Sequence, residues 1–290
     1  MTLKIVLLLM TLLVGVSAVF AQGDLASLAT VIERGTTEAK RDALFAIRNM
    51  RSEEASRIAV PALKDRNILV RSTAASAVVF LPQPEAASLL IPMLGDRNEF
   101  IRREVAFALG KVGDVSAVEP LQQMIKHEKA VEVRSAVIIA LGEIGDPSAV
   151  GPLIALLTQK PRENDEFPRR SAARSIGQIV QFIRTGRREV VTPENFLPQR
   201  FKSVPGTVSA KDIAEFGAAT TRLLTVLADR RESDDTRREA AFALGTIGDL
   251  TALPALQQGI SSGDYYLAEI CREAVAKILA SNSKDKSTPT

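Results

Sequence analysis

The segment Ile101-Arg-Arg-Glu-Val-Ala-Phe-Ala-Leu-Gly110 returns as Val133-Arg-Ser-Ala-Val-Ile-Ile-Ala-Leu-Gly142 and as Thr236-Arg-Arg-Glu-Ala-Ala-Phe-Ala-Leu-Gly245. Pro168-Arg-Arg-Ser-Ala-Ala-Arg-Ser-Ile-Gly177 is a fourth copy, and Val70-Arg-Ser-Thr-Ala-Ala-Ser-Ala-Val-Val79 a weaker fifth. The aligned basic positions are Lys40, Arg71, Arg102, Arg134, Arg169, Arg237 and Arg272, in steps of 31 to 35 residues apart from one of 68 between Arg169 and Arg237. A fixed period of this size marks an array of stacked supersecondary units. Inside one copy, Val133, Ala136, Val137, Ala140, Leu141 and Ile144 recur at helical spacing and share one face.

The rest of the unit is read around that helix. Pro61, Pro92, Pro120, Pro152 and Pro254 stand at one place in the intervening stretch. Gly113-Asp114, Gly145-Asp146 and Gly248-Asp249 follow the arginine helix. Glycine ends a helix in the left-handed region and aspartate caps the next, so each unit is two antiparallel helices joined by tight turns. One pair cannot bury its own apolar face, whereas stacked pairs share a continuous core. The expected fold is all-α, a right-handed α-α superhelix of about seven antiparallel helix pairs over residues 22–280.

This pattern resembles the HEAT-repeat superfamily, and most closely the short HEAT-like repeats named after phycobilisome lyases, across roughly residues 24–280. The resemblance implies a ladder of turn aspartates and helix-opening arginines, here Asp65 with Arg71, Asp96 with Arg102 and, more loosely, Asp229 with Arg237. The fourth repeat departs, with Lys126-His127-Glu128 where the aspartate belongs. It also implies that these residues are structural. The lyase label describes where the repeat was found more than an activity, and a chromophore lyase of the cytoplasm fits poorly with an export signal.

Such a signal opens the chain. Lys4 precedes the apolar run Ile5–Val14, and Val19-Phe20-Ala21 suits a signal peptidase cutting before Gln22. Residues 1–21 are therefore read as a signal peptide of an exported protein, periplasmic or secreted. The alternative is an uncleaved anchor, against which the run is shorter than the ~20 residues of a spanning helix. After cleavage no membrane span is expected. Removing Lys4 leaves 36 basic and 34 acidic side chains, a net of +2. That balance gives no electrostatic footprint for nucleic acid.

The long step has a local cause. Residues 185–210 hold Gly186, Pro193, Pro198, Pro205 and Gly206, which interrupt a helix, and the pattern restarts at Ser209. Phe196, Arg200, Phe201 and Lys202 make this insertion a candidate binding element, since long loops inside a repeat array often carry function. The tail 281–290 is polar and is expected to be disordered.

Catalytic chemistry finds little to stand on. Cys271 is the single cysteine, read as a small buried apolar residue, so there is no internal disulfide. His127 is the single histidine, read as an exposed turn residue. A HEAT-like di-iron hydroxylase depends on several His-Glu pairs, and one pair cannot supply that ligand set. No zinc cluster, Gly-x-Ser-x-Gly elbow, phosphate loop or calcium loop occurs. Glu53-Glu54 and Asp234-Asp235 fall at helix starts, where negative charge suits the dipole. No catalytic residue, metal or cofactor is assigned.

What remains is a surface. In HEAT arrays the second helix of each pair lines the concave side. The positions one, five and nine places after the opening arginine face outward there. They carry Phe80, Phe107, Ile139 and Phe242 alternating with Arg103, Arg170, Arg174 and Arg238. Aromatic and arginine side chains anchor interfaces. Arg103, Arg170 and Arg238 are expected to form one positive column. The leading expectation is a non-catalytic scaffold holding a protein or peptide partner, an acidic one, on this face and the insertion. A second is an enzyme or lyase-like accessory subunit acting on a bound partner, for which a tight inner pocket with a perturbed acid would speak. A third is a structural module of an envelope complex.

Overall fold

The computed structural model describes residues 25–186 and 213–284. The expected signal segment, most of the insertion with Phe196, Arg200, Phe201 and Lys202, and residues 285–290 lie outside the described residues. Every regular element described is helical, and the helices follow one another as seven pairs. The chain is an all-α solenoid, as the repeats require. It divides into two compact units, Met1–Ala108 and Leu109–Thr290, each taken by itself below.

In the first unit α1 (25–34) is followed by α2 (Thr37–Met50), α3 (Glu53–Ala59), α4 (Ile68–Ala77), α5 (Gln83–Leu90) and the start of α6 (Glu99–Val112). The prolines act where they stand. Pro61 and Pro92 open short 3₁₀ turns, Val60–Lys64 and Ile91–Gly95, that close α3 and α5. Proline lacks the N–H that an α-helix would need there. Helix α2 ends at Arg51, held left-handed at φ 50°. In later repeats the same cap is Gly113, Gly145 or Gly248, at φ between 71° and 82°. A side chain at such a φ costs about 1–2 kcal/mol, and among the described residues the first repeat alone carries that cost.

The second unit holds α7 (Val118–His127), α8 (Val131–Ile144), α9 (Val150–Thr158), α10 (Glu166–Thr185), α11 (Ala214–Ala228), α12 (Asp234–Ile247), α13 (Leu253–Gly259) and α14 (Tyr265–Lys284). Second helices pack side by side in the order α8, α10, α12, α14, while α9, α11 and α13 form the other layer. Gly113, Gly145 and Gly248 are each followed by a capping aspartate. Asp114, Asp146 and Asp249 accept from Ser116 N, Ser148 N and Thr251 N, each at 2.9 Å. Helix α10 runs through Thr185 to a left-handed Gly186, so the helical pattern outlasts the expected start of the insertion. Likewise α14 continues past residue 281. Asn282 Nδ2 donates to the Gly248 carbonyl at 3.0 Å, which fastens this end where a disordered tail is expected to begin.

A ladder does run between repeats, with different rungs from those the family resemblance implies. Within a repeat the arginine meets the aspartate's carbonyl: Arg71 Nη1 donates to Asp65 O at 2.8 Å and Arg102 Nη1 to Asp96 O at 2.9 Å. The carboxylate instead answers the repeat before, as Lys40 Nζ to Asp65 Oδ2 at 2.8 Å and Arg71 Nη2 to Asp96 Oδ2 at 3.4 Å. In the fourth repeat Glu128 takes the aspartate's turn-closing role, accepting from Ala130 N at 2.9 Å. In the second unit Arg134 meets Asp165 at 3.1 Å. Arg169 is paired with Glu232, not Asp229, with both side chains almost wholly buried. Asp229 turns to Arg231 at 2.8 Å, and this local pair holds its carboxyl down to about 2.

Cys271 is fully buried and sits against Gly259, where an added Cβ would lie 2.5 Å from Sγ. Burial pushes its thiol up to about 11. The thiolate is the reactive form. Native protein should therefore leave a thiol-reactive dye uncoloured and release one equivalent on unfolding in urea. Prompt reaction of the folded chain would mean that α14 opens readily.

Candidate binding surface

Second helices expose only their far side. Helix α8 is buried on nearly every side, with Ile138, Ala140, Leu141 and Gly142 all inside, and leaves Ile139 and Glu143 half-exposed. The helices approach closely because glycine recurs at the contact. A Cβ on Gly142 would lie 2.7 Å from Ser175 Cβ, and one on Gly245 would lie 2.7 Å from both Ala274 Cα and Cβ.

Across this face α8, α10, α12 and α14 form a groove of about 620 Å³. Ile139, Arg170, Arg174 and Arg238, singled out from the repeat register, all line it. The sequence did not point to the acids that line it with them. Arg170 Nη1 donates to Asp235 Oδ2 at 2.8 Å, and Arg174 Nη1 to Glu239 Oε1 at 3.2 Å. Arg238 grips Asp264 through Nε at 3.0 Å and Nη2 at 2.7 Å, and also reaches Asp235. Asp235 therefore ties Arg170 on α10 to Arg238 on α12, and Asp264 ties Arg238 to the start of α14. Aromatic rings lie against two of these guanidiniums. Phe167 lies 4.9 Å from Arg170 and Tyr266 lies 5.3 Å from Arg238, and both rings are exposed.

The expected free positive column is thus replaced in the second unit by a charge-balanced lattice. Arg103, in the first unit, is paired to Glu104 at 3.0 Å and stacked on Phe100 at 4.9 Å. Two of the apolar candidates are also corrected. Phe242 is buried, its ring seated over Gly177, where a Cβ would lie 2.5 Å from Cε1. Phe80 follows the end of α4 at Ala77 and stands in a turn, because Pro82 and Pro84 come directly after it. Phe107 stays half-exposed on α6, and Ile139 on α8. A short-range signal was available for the acids: Glu104 and Glu239 each directly follow a candidate arginine, and Asp235 precedes Arg238 by one helical turn.

The electrostatics of the groove follow from these neighbours. Burial raises the Glu239 carboxyl above the usual range, with Arg174 and then Arg170 opposing it. Asp264 is held low, chiefly by its hydrogen bonds from Arg238. Neither His127, exposed at the end of α7, nor the buried Cys271 lines the groove. Among the described residues no group of three or more His, Cys, Asp or Glu side chains could hold a metal ion. No described helix is long and apolar enough to cross a membrane.

A family model described as HEAT repeats matches residues 25–106 and 89–177, and one described as PBS lyase HEAT-like repeat matches residues 236–262. Among solved structures, a crystallised engineered protein is similar at 18% identity and TM-score 0.52, over 91% of this chain and 70% of that one. The CpcE–CpcF complex of phycocyanin lyase from Nostoc sp. is similar at 18% identity and TM-score 0.48, over 90% and 93%. Human deoxyhypusine hydroxylase in complex with glycerol is 18% identical at TM-score 0.39, over 92% and 99%. Likeness at this level bears on the fold and not on chemistry. No curated protein sequence matches the chain.

Proposed function

We infer that this chain, which belongs to the HEAT-repeat family, is a binding scaffold that holds a protein or peptide segment against the groove of α8, α10, α12 and α14. The observation that carries this reading is the convergence of Phe167, Tyr266, Ile139 and Ile270 with three arginines in one groove of about 620 Å³. Its arginines already have carboxylate partners, so the groove offers donors and acceptors in near balance. That suits an extended main chain bearing apolar side chains better than a strongly acidic ligand. Arginines held in ion pairs and under aromatic rings lose little freedom on binding, which favours a surface of this kind.

The test is comparative capture from the envelope fraction of the source cell, using Ile139→Glu with Tyr266→Ala. The control is Gln123→Ala with Thr221→Ala, two exposed positions on the first helices α7 and α11. A partner held by the wild type and the control should bind the groove variant about tenfold more weakly, the scale of losing an anchor residue. Undiminished capture by a folded groove variant rules the groove out.

One observation favours a second reading, a subunit that acts chemically on the bound partner. Glu239 is an acid in the groove with its carboxyl raised by burial, and perturbed acids cluster at functional sites. Under that reading Glu239→Gln keeps capture and abolishes a covalent change in the captured partner. Under the scaffold reading the partner's mass is the same with either protein.

Lys4, the apolar Ile5–Val14 and Ala21 are what support export of this scaffold from the cytoplasm. A mature form beginning at Gln22 is expected in the envelope or medium by intact mass. Full-length mass confined to the cytosol would overturn this location.

A further inference from the structure

The face of the first unit differs from the groove in how its arginines are held. In α2 the positions one, five and eight places after Lys40 are Arg41, Phe45 and Arg48. Phe45 is 37% exposed. The guanidinium carbons of Arg41 and Arg48 lie 6.0 and 5.3 Å from its ring centroid. Among the described residues neither arginine has an ion-pair partner, and the Arg41 Nε–H is buried without an acceptor. Glu38 and Asp42 are exposed on the same helix and come within ion-pair distance of neither.

Two sequence choices leave this ridge standing clear. Helix α4 packs beside α2 and carries Ser72 and Ser76 in the register of Arg41 and Phe45. Those side chains are too short to cover the ring. Helix α4 also stops at Ala77, so the last turn of α2, with Arg48, runs beyond the matching point of its neighbour.

We propose that Arg41, Phe45 and Arg48 form a docking site for an acidic linear segment of a partner protein, separate from the groove of the second unit. Charge complementarity selects the occupant. In the groove an incoming carboxylate must displace Asp235, Glu239 or Asp264 from their arginines. On α2 it meets two guanidiniums with no competing carboxylate among the described residues. Stacking on Phe45 holds both in place, so a carboxylate finds its donors already oriented. Arginine donates to carboxylate through two parallel N–H groups, which lysine cannot copy. The exposed ring between the two arginines then takes an apolar side chain flanked by acids.

The experiment is fluorescence anisotropy on the full chain. The probes are a labelled Glu- and Asp-rich peptide carrying one leucine, its Lys-rich counterpart, a DNA oligonucleotide and vesicles of anionic phospholipid. Wild type should bind the acidic peptide and weaken with added salt. Arg41→Gln with Arg48→Gln should bind it about tenfold more weakly at an unchanged thermal midpoint, as for losing an interfacial charge pair. Phe45→Ala should lose affinity without changing the salt dependence. The groove variant Arg170→Gln with Arg174→Gln should bind within about twofold of wild type, since sites that share no partner act independently. Equal binding by the α2 double variant, equal binding of acidic and basic peptides, or stronger binding of DNA or vesicles would each overturn the proposal. Loss in the groove variant alone would move the acidic segment to the second unit and leave the groove reading standing.

Discussion

Arg169→Ala should cost about 3–5 kcal/mol of stability, the scale of breaking a buried ion pair from one side. Arg169 lies on α10 and its guanidinium is enclosed. It grips Glu232 and also donates to the carbonyls of Leu156 at 2.9 Å, Gln159 at 2.8 Å and Leu157 at 3.2 Å. Its removal therefore strands a buried carboxylate and three carbonyls at the end of α9. Glu232→Ala should cost less, because the carbonyls keep their donor. Replacing both by Met and Leu should recover a good part of the loss, since well-packed apolar groups often replace a buried pair without penalty. The urea midpoints of the four proteins decide it. Arg169→Ala unfolding within about 0.5 kcal/mol of wild type, the range of an ordinary surface change, would mean that the pair is hydrated and carries no structural burden.

Gly245→Ala should also destabilise, by about 1–3 kcal/mol, although alanine is the better helix former by about 1 kcal/mol. The added methyl would lie 2.7 Å from Ala274 Cα and Cβ, so α12 and α14 must move apart. Backbone cannot swing aside as a long side chain would. Gly217 supplies the opposite case in the same unit. It is exposed on α11 with open space where its Cβ would go, and Gly217→Ala should stabilise by about 0.5–1 kcal/mol. Two chemically identical substitutions thus have opposite expected signs. Urea midpoints that rise for both would show that the α12–α14 contact is looser than its geometry.

The repeat made the fold legible. The Arg helices, the Gly-Asp turns and the shared proline mark seven pairs because each is a local signal, set by residues within a few places of one another. Lateral pairing is not local. Which acid meets Arg169 depends on how the turn before α12 closes, and that choice falls on Glu232 while Asp229 serves the turn itself. The helical register carried Ile139, Arg170, Arg174 and Arg238 onto one groove, since stacking aligns equal positions. It misplaced Phe242, because Gly177 on the adjoining helix leaves a hollow that the ring fills. Phe80 was lost to the turn that Pro82 and Pro84 impose. The positive column failed for a simpler reason. The acids that neutralise Arg170 and Arg174 stand on the neighbouring helix α12, and Asp264 precedes α14, so the charge of this face depends on lateral packing as well as on its own helix.

The Arg169–Glu232 pair joins residues 63 apart in the chain, one on each side of residues 187–212. Helices α10 and α12 pack directly against each other as well. The covalent link through that stretch and the link through the interface are therefore redundant. A chain supplied as two separate polypeptides, parted between residues 187 and 212, keeps the α10–α12 contacts of the described residues, and coexpressed halves should find each other and co-purify. New chain ends or an inserted domain at that site should, on the same grounds, leave the α10–α12 interface in register.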